Sequence, residues 1–265
     1  MKQWRVIFLF VLLPFFSVAQ ELFPINDNAS NVPGGVLGVR LFDETYPEVN
    51  LLRNMYGIRL MYGLLPKLSV YAAVSWSNHH SVDFPPNLAS HTHNGNQTTY
   101  STGDIVRGVP YPYLFDGADI YAKYRFLSLD AQNRHFRMAV YGEWSNVNVA
   151  HDETEPTLIE DTKGWAVGLI TTYLKKHIAI AASSGFILPG KYYGYSPDLN
   201  GGPLVPTELI YGRAIQYNLS FGYLLLPFHY TNYNQPNLNL YIEFSGKSYE
   251  QAQVIQYGYV NLPIQ

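Results

Sequence analysis

The chain has no cysteine, and only 14% of its 265 residues are charged. The first absence excludes disulfide stapling and thiol chemistry. The formal net charge is −3 and no basic stripe interrupts the sequence, so nucleic acid is not an expected partner. Beyond the N-terminus no apolar run approaches the roughly 18–20 residues that a membrane-spanning helix needs. Enzyme signatures are missing as well: there is no G-x-S-x-G, no H-E-x-x-H and no phosphate loop. The expectation is a protein that is not an enzyme and carries no cofactor.

What the chain has is tyrosine, 23 of them, and hydrophobicity spread over alternating segments. Residues 56–62 show the pattern. One parity reads Tyr56, Ile58, Leu60, Tyr62, and the other Gly57, Arg59, Met61. Successive side chains of a strand point to opposite faces. One face is therefore apolar with a tyrosine at each end, and the other carries an arginine. In a soluble protein the apolar face would be core. In an outer-membrane barrel it meets lipid, the aromatic ends lie at the two interfaces, and the charge faces the lumen.

The first residues favour export. Lys2 and Arg5 precede the apolar run Val6–Phe16, and Ser17-Val18-Ala19 gives a small-x-small cleavage site before Gln20. Residues 1–19 read as a secretory signal peptide. Residues 20–35 are polar, with Pro24, Pro33, Gly34 and Gly35, and read as a periplasmic lead-in. Residues 36–265 read as one β-barrel domain.

Nine alternating segments follow, at 36–42, 54–63, 68–77, 118–127, 136–145, 164–174, 178–188, 214–225 and 238–247. Most are about 10 residues long, as tilted transmembrane strands are. Their connections alternate: 64–67, 128–135, 175–177 and 226–237 are fairly short, while 78–117, 146–163 and 189–213 are long, and 43–53 is intermediate. Outer-membrane barrels have short periplasmic turns and longer extracellular loops. The expected fold is thus all-β, an antiparallel up-and-down transmembrane barrel of about 10 strands, located in the cell outer membrane. A secreted soluble β-sandwich is the competing architecture. Bacterial single-chain barrels have an even number of strands, so a tenth is expected within 253–264. That segment alternates poorly and ends on Gln265 instead of an aromatic residue. Either the last strand is degenerate or the sequence is truncated there.

The inward parity collects Arg40, Arg59, Lys123, Arg125 and Arg137 with Asp119, Glu143 and Glu243. Two readings fit. Buried charges in a narrow barrel must pair, which gives a salt-bridged plug. The same residues can also form a charged constriction lining a solute path, and the excess of cations would then favour anionic solutes. His79, His80, His91 and His93 lie in the longest loop, near Asp83 and Asp104. An H-x-H spacing is compatible with zinc or copper, and equally with a merely polar loop. The acidic loop Asp152, Glu153, Glu155, Glu160, Asp161 lacks calcium-loop spacing and reads as solvated. Tyr192, Tyr193, Tyr195 and Tyr211 suit either sugar stacking or an interfacial girdle.

The runs Gly117-Ala118-Asp119-Ile120-Tyr121-Ala122-Lys123-Tyr124-Arg125-Phe126 and Ile180–Gly190 carry a K-Y-R-F strand and a strand ending Leu188-Pro189-Gly190. In these the chain resembles Gram-negative outer-membrane barrels, and among them the family associated with meta-pathway phenol degradation. That resemblance implies transport of small hydrophobic compounds. The expected partners are the lipid bilayer, small solutes and the outer-membrane assembly machinery. The expected function is a channel or transporter for small solutes. The alternative is a closed barrel acting through its outer loops, in adhesion or in ligand or metal capture.

Overall fold

The computed structural model describes residues 23, 26–48, 51–78, 113–147, 163–197, 204–227, 238–251 and 253–257. They form twelve strands: β1 (Leu37–Glu48), β2 (Leu51–Leu65), β3 (Leu68–Ser77), β4 (Leu114–Ala131), β5 (Arg134–Val147), β6 (Gly164–Lys175), β7 (Ile178–Pro189), β8 (Lys191–Pro197), β9 (Leu204–Ile210), β10 (Ala214–Leu226), β11 (Leu238–Tyr249) and β12 (Gln253–Gln256). Nine of these make one sheet in the order β1-β2-β3-β4-β5-β6-β7-β10-β11. Every neighbouring pair is antiparallel. The sheet curls into an incomplete barrel with β1 and β11 at its two edges.

Alternation fixes the two faces, and their burial is the reverse of a soluble sheet. The convex face exposes its large apolar groups: Leu41 is 74% exposed, Trp165 61% and Phe244 63%. The concave face buries small and polar groups, with Ala139 at 0% and the lysine Lys123 at 1%. A soluble monomer rarely leaves a contiguous apolar patch larger than a few hundred Å². Here Leu37, Leu60, Ile120, Val167, Ile180, Leu219 and Ile242 expose one such face strand after strand.

Three two-residue turns, at 66–67, 132–133 and 176–177, join β2 to β3, β4 to β5 and β6 to β7 at one end of the sheet. Asn133 and Lys176 adopt positive φ there, 58° and 52°. Bulges at Gly63/Leu65, Arg125/Leu127 and Leu224/Leu226 lie near this same end. A bulge adds local twist and bends the strand, which helps the sheet to curl.

Several strands outrun their apolar bands. β1 and β2 stay paired from Leu37↔Tyr62 as far as Glu48↔Leu51, so most of the expected connection 43–53 is a hairpin. Its polar side chains make the ties, as in Asn54 Nδ2 donating to Thr45 Oγ1 at 2.7 Å.

The segment 189–213, expected as a loop, contains β8 and β9. With β12 they form a second sheet in the order β12-β9-β8. β8 follows β7, β9 precedes β10 and β12 follows β11, so the small sheet prolongs that wall past the end of the large one. β8 and β9 each carry a proline and none of the three has a regular apolar face, so alternation alone does not announce them. The expected tenth strand is also relocated. Its described part, β12, pairs with β9 through Gln253↔Ile210 to Gln256↔Thr207. Among the described residues nothing pairs β1 with β11.

Candidate functional site

Residues 23 and 26–35 cross the concave face. Phe23 is buried against Ala179 and Ala181, with Leu174 and Tyr241 packed around it. The Asn26 amide donates to Glu243 Oε2 at 2.8 Å, and Asn26 Nδ2 donates to Ser220 Oγ at 2.9 Å. The Ala29 amide donates to Thr172 Oγ1 and the Val32 amide to Ser69 Oγ, both at 2.9 Å. Gly35 N donates to Gly63 O at 2.7 Å. This strap therefore runs from β10 and β11 across β6 to β2 and β3. Its polar composition suits the task, because a backbone laid on an inner wall must satisfy its amides there. The strap lies toward the end of the sheet that carries the two-residue turns.

Lys123 is the centre of attachment. Its Nζ donates to Asp27 Oδ1 at 2.7 Å and to Asn28 O at 2.6 Å. Tyr121 Oη donates to the other Asp27 oxygen at 2.7 Å. Arg137 adds a bond to Ser30 Oγ at 2.9 Å and an ion pair with Asp130 at 3.2 Å. Glu243 is held by Asn26 and, at 3.2 Å, by Ser220 Oγ. Arg125 sits apart, near the 66–67 turn, donating to Pro66 O at 3.1 Å.

Between strap and wall lies a cavity of about 640 Å³. Arg40, Arg59, Asp119, Lys123, Arg137 and Glu143 all line it, so six of the eight residues expected on the inner parity meet in one space. Arg125 and Glu243 do not line it. Register orders the cavity wall. Arg40 pairs with Arg59, Arg59 with Ala73, and Ala73 with Asp119. On the next row Tyr71 pairs with Tyr121, and Tyr121 with Glu143. The guanidinium of Arg59 lies over the Phe42 ring at 5.9 Å.

Three tyrosines make a ladder on this wall. Tyr71 and Tyr121 stack at 5.2 Å and 22°, Tyr121 and Tyr141 at 5.3 Å and 23°. Tyr141 continues across β6 and β7 to accept a bond from Gln216 Nε2 on β10 at 2.7 Å. It can do so because Gly168 and Gly185 lie beneath it. A Cβ at either would collide with the tyrosine ring or its hydroxyl.

Other sequence candidates separate from this site. His79, His80, His91, His93, Asp83, Asp104 and the acidic loop 152–161 lie outside the described residues. Among the described residues no group of three or more His, Cys, Asp or Glu could hold a metal. Tyr192 is buried, with its hydroxyl donating to Val147 O at 3.0 Å and its ring against Tyr211 at 5.9 Å. It packs the upper rim, whereas Tyr193 is 66% exposed. In the prolonged sheet Glu208 accepts bonds from Tyr257 Oη at 2.6 Å and Lys191 Nζ at 2.7 Å. Lys191 first, then Tyr257, hold its carboxyl below the ordinary glutamate value.

The sequence reading missed the strap. Its signal was the run Asn26-Asp27-Asn28-Ala29-Ser30-Asn31, unusually dense in short hydrogen-bonding groups, which read as a lead-in because it has no strand alternation. No family model matches this chain, and no curated protein matches it.

Proposed function

We propose that the chain is an outer-membrane β-barrel passing small solutes through a lumen narrowed by its own N-terminal strap. One observation carries this reading: the sheet buries its charges on the concave face and exposes its apolar groups on the convex face. Lipid is the solvent that makes such a face stable, since exposing it to water would cost about 25 cal/mol per Å². The bilayer also demands that every backbone group be paired, so the open edges at β1 and β11 must be covered within the membrane.

The charged wall favours a solute that carries charge, whereas the family resembled is associated with small hydrophobic compounds. Lys123 and Arg137 are engaged by Asp27, Asn28, Ser30 and Asp130, and Arg40, Arg59, Asp119 and Glu143 line the cavity beside them. The strap favours a second reading, a closed barrel working through its outer loops. Planar-bilayer recordings separate the two. Discrete steps from the wild type, enlarged by Asp27→Ala, support a channel with an internal strap. No steps from either protein supports the closed barrel.

A further inference from the structure

We propose that Asp119 and Glu143 form a binding site in the cavity for the protonated amine of a small solute. This rests on the solute-binding lumen proposed above and names the chemistry it selects. Both carboxyl groups are more than nine-tenths buried, with Asp119 4% and Glu143 8% exposed. Both line the cavity. No other described group donates a hydrogen bond to Asp119 Oδ2 or Glu143 Oε1. The two groups lie within hydrogen-bonding reach of each other, so they form one adjacent pair on the cavity wall. Two adjacent buried carboxylates repel, and each orphaned acceptor carries a desolvation penalty of about 1–3 kcal/mol. A donor-rich cation removes both costs.

Neither Lys123 nor Arg59 donates to these two oxygens. Lys123 is spent on Asp27 and Asn28. Arg59, across Ala73 and over the Phe42 ring, attracts both carboxyl groups electrostatically but donates to neither Asp119 Oδ2 nor Glu143 Oε1. An ammonium has three donors, which suits two carboxylates. It is also attracted to aromatic faces. Tyr121, the cross-strand partner of Glu143, has both faces covered by Tyr71 and Tyr141, and these two outer rings also line the cavity. The tyrosines give the site an apolar floor for the organic part of the solute. A bare metal ion fits less well, since the site offers only two carboxylates.

The test is ligand-observed NMR on the purified full chain in detergent micelles, with benzylammonium as probe and benzyl alcohol as its uncharged counterpart. Benzylammonium is expected to bind at least tenfold more tightly than the alcohol. The Asp119→Asn, Glu143→Gln double variant, which keeps shape and removes charge, should erase that preference. An unchanged heat-shifted gel band verifies that the variant has folded, and Asp119→Asn alone, giving an intermediate preference, provides a second reading. Equal binding of the two probes by the wild type overturns the proposal and leaves the pair holding a proton. A double variant that keeps the preference overturns it too. Binding is read without transport, so absence of conductance with intact amine binding would count against the channel and not against this site.

Discussion

The ammonium of Lys123 lies 2.7 Å from Asp27 Oδ1, and the lysine is 1% exposed. A charge on the fourth strand is thus neutralised by the segment that precedes the first. Burying a lysine is tolerated only with a partner, so the sheet's inner wall and the strap require each other.

That dependence is testable. Asp27→Ala leaves Lys123 with one carbonyl and Tyr121 with no acceptor at Asp27. Breaking such a pair should cost about 3 kcal/mol. Protease cleavage within 26–36 should accelerate while the strands stay protected. Lys123→Met, which removes the buried charge and keeps the volume, should cost less than Asp27→Ala. Equal protection of the strap in all three proteins would show that the pair does not hold it.

The two faces of β2 should respond oppositely to charge. Leu60 is 45% exposed on the convex face, and Met61 lines the cavity. Leu60→Arg should cost about 2–4 kcal/mol if it meets mid-bilayer and should reduce assembled protein. Met61→Arg should assemble better. Equal yields of the heat-modifiable form would refute the assignment of faces.

Tyr141 and Gly185 should couple. A Cβ at position 185 would strike the Tyr141 hydroxyl, so Gly185→Ala should destabilise by about 1–3 kcal/mol. In a Tyr141→Phe background the hydroxyl is gone and most of the penalty should vanish. Urea-unfolding midpoints of the four proteins close the cycle. Strictly additive effects would mean that the ring does not lie over the glycine.

The alternation that separates Tyr56, Ile58, Leu60 and Tyr62 from Gly57, Arg59 and Met61 carried the sheet, its register and the charged wall. Period-2 patterning is strong wherever one face of a strand is buried, and β3 runs over Leu68–Ser77, the segment the alternation predicts. Tyr71, Tyr121 and Tyr141 share the inner parity as well, but parity does not say that their rings stack. The prolonged sheet was not legible, because β8, β9 and β12 carry no regular apolar face; Lys191, Glu208 and Tyr257 are joined by side-chain bonds that sequence cannot pair. The strap was hidden for a related reason. Its ties, such as Ala29 to Thr172, join residues far apart in the chain and follow no period.

The prolonged sheet should loosen in acid. Lys191 and Tyr257 hold the Glu208 carboxyl below its ordinary value. Its contribution is therefore complete above the ordinary glutamate pKa of about 4.3. It is lost as pH falls through the depressed folded value. Amide exchange in 204–210 and 253–256, corrected for intrinsic rates, should rise in that window. Glu208→Gln should remove the pH dependence. An unaltered profile in Glu208→Gln would place its cause elsewhere.

The claim on which everything else depends is that the convex face meets lipid. Fractionation of cells producing the full chain tests it most directly. The protein should sediment with the outer membrane, resist carbonate extraction, and migrate differently on gels before and after boiling. Recovery in the soluble periplasmic fraction, with one mobility in both conditions, would contradict the account.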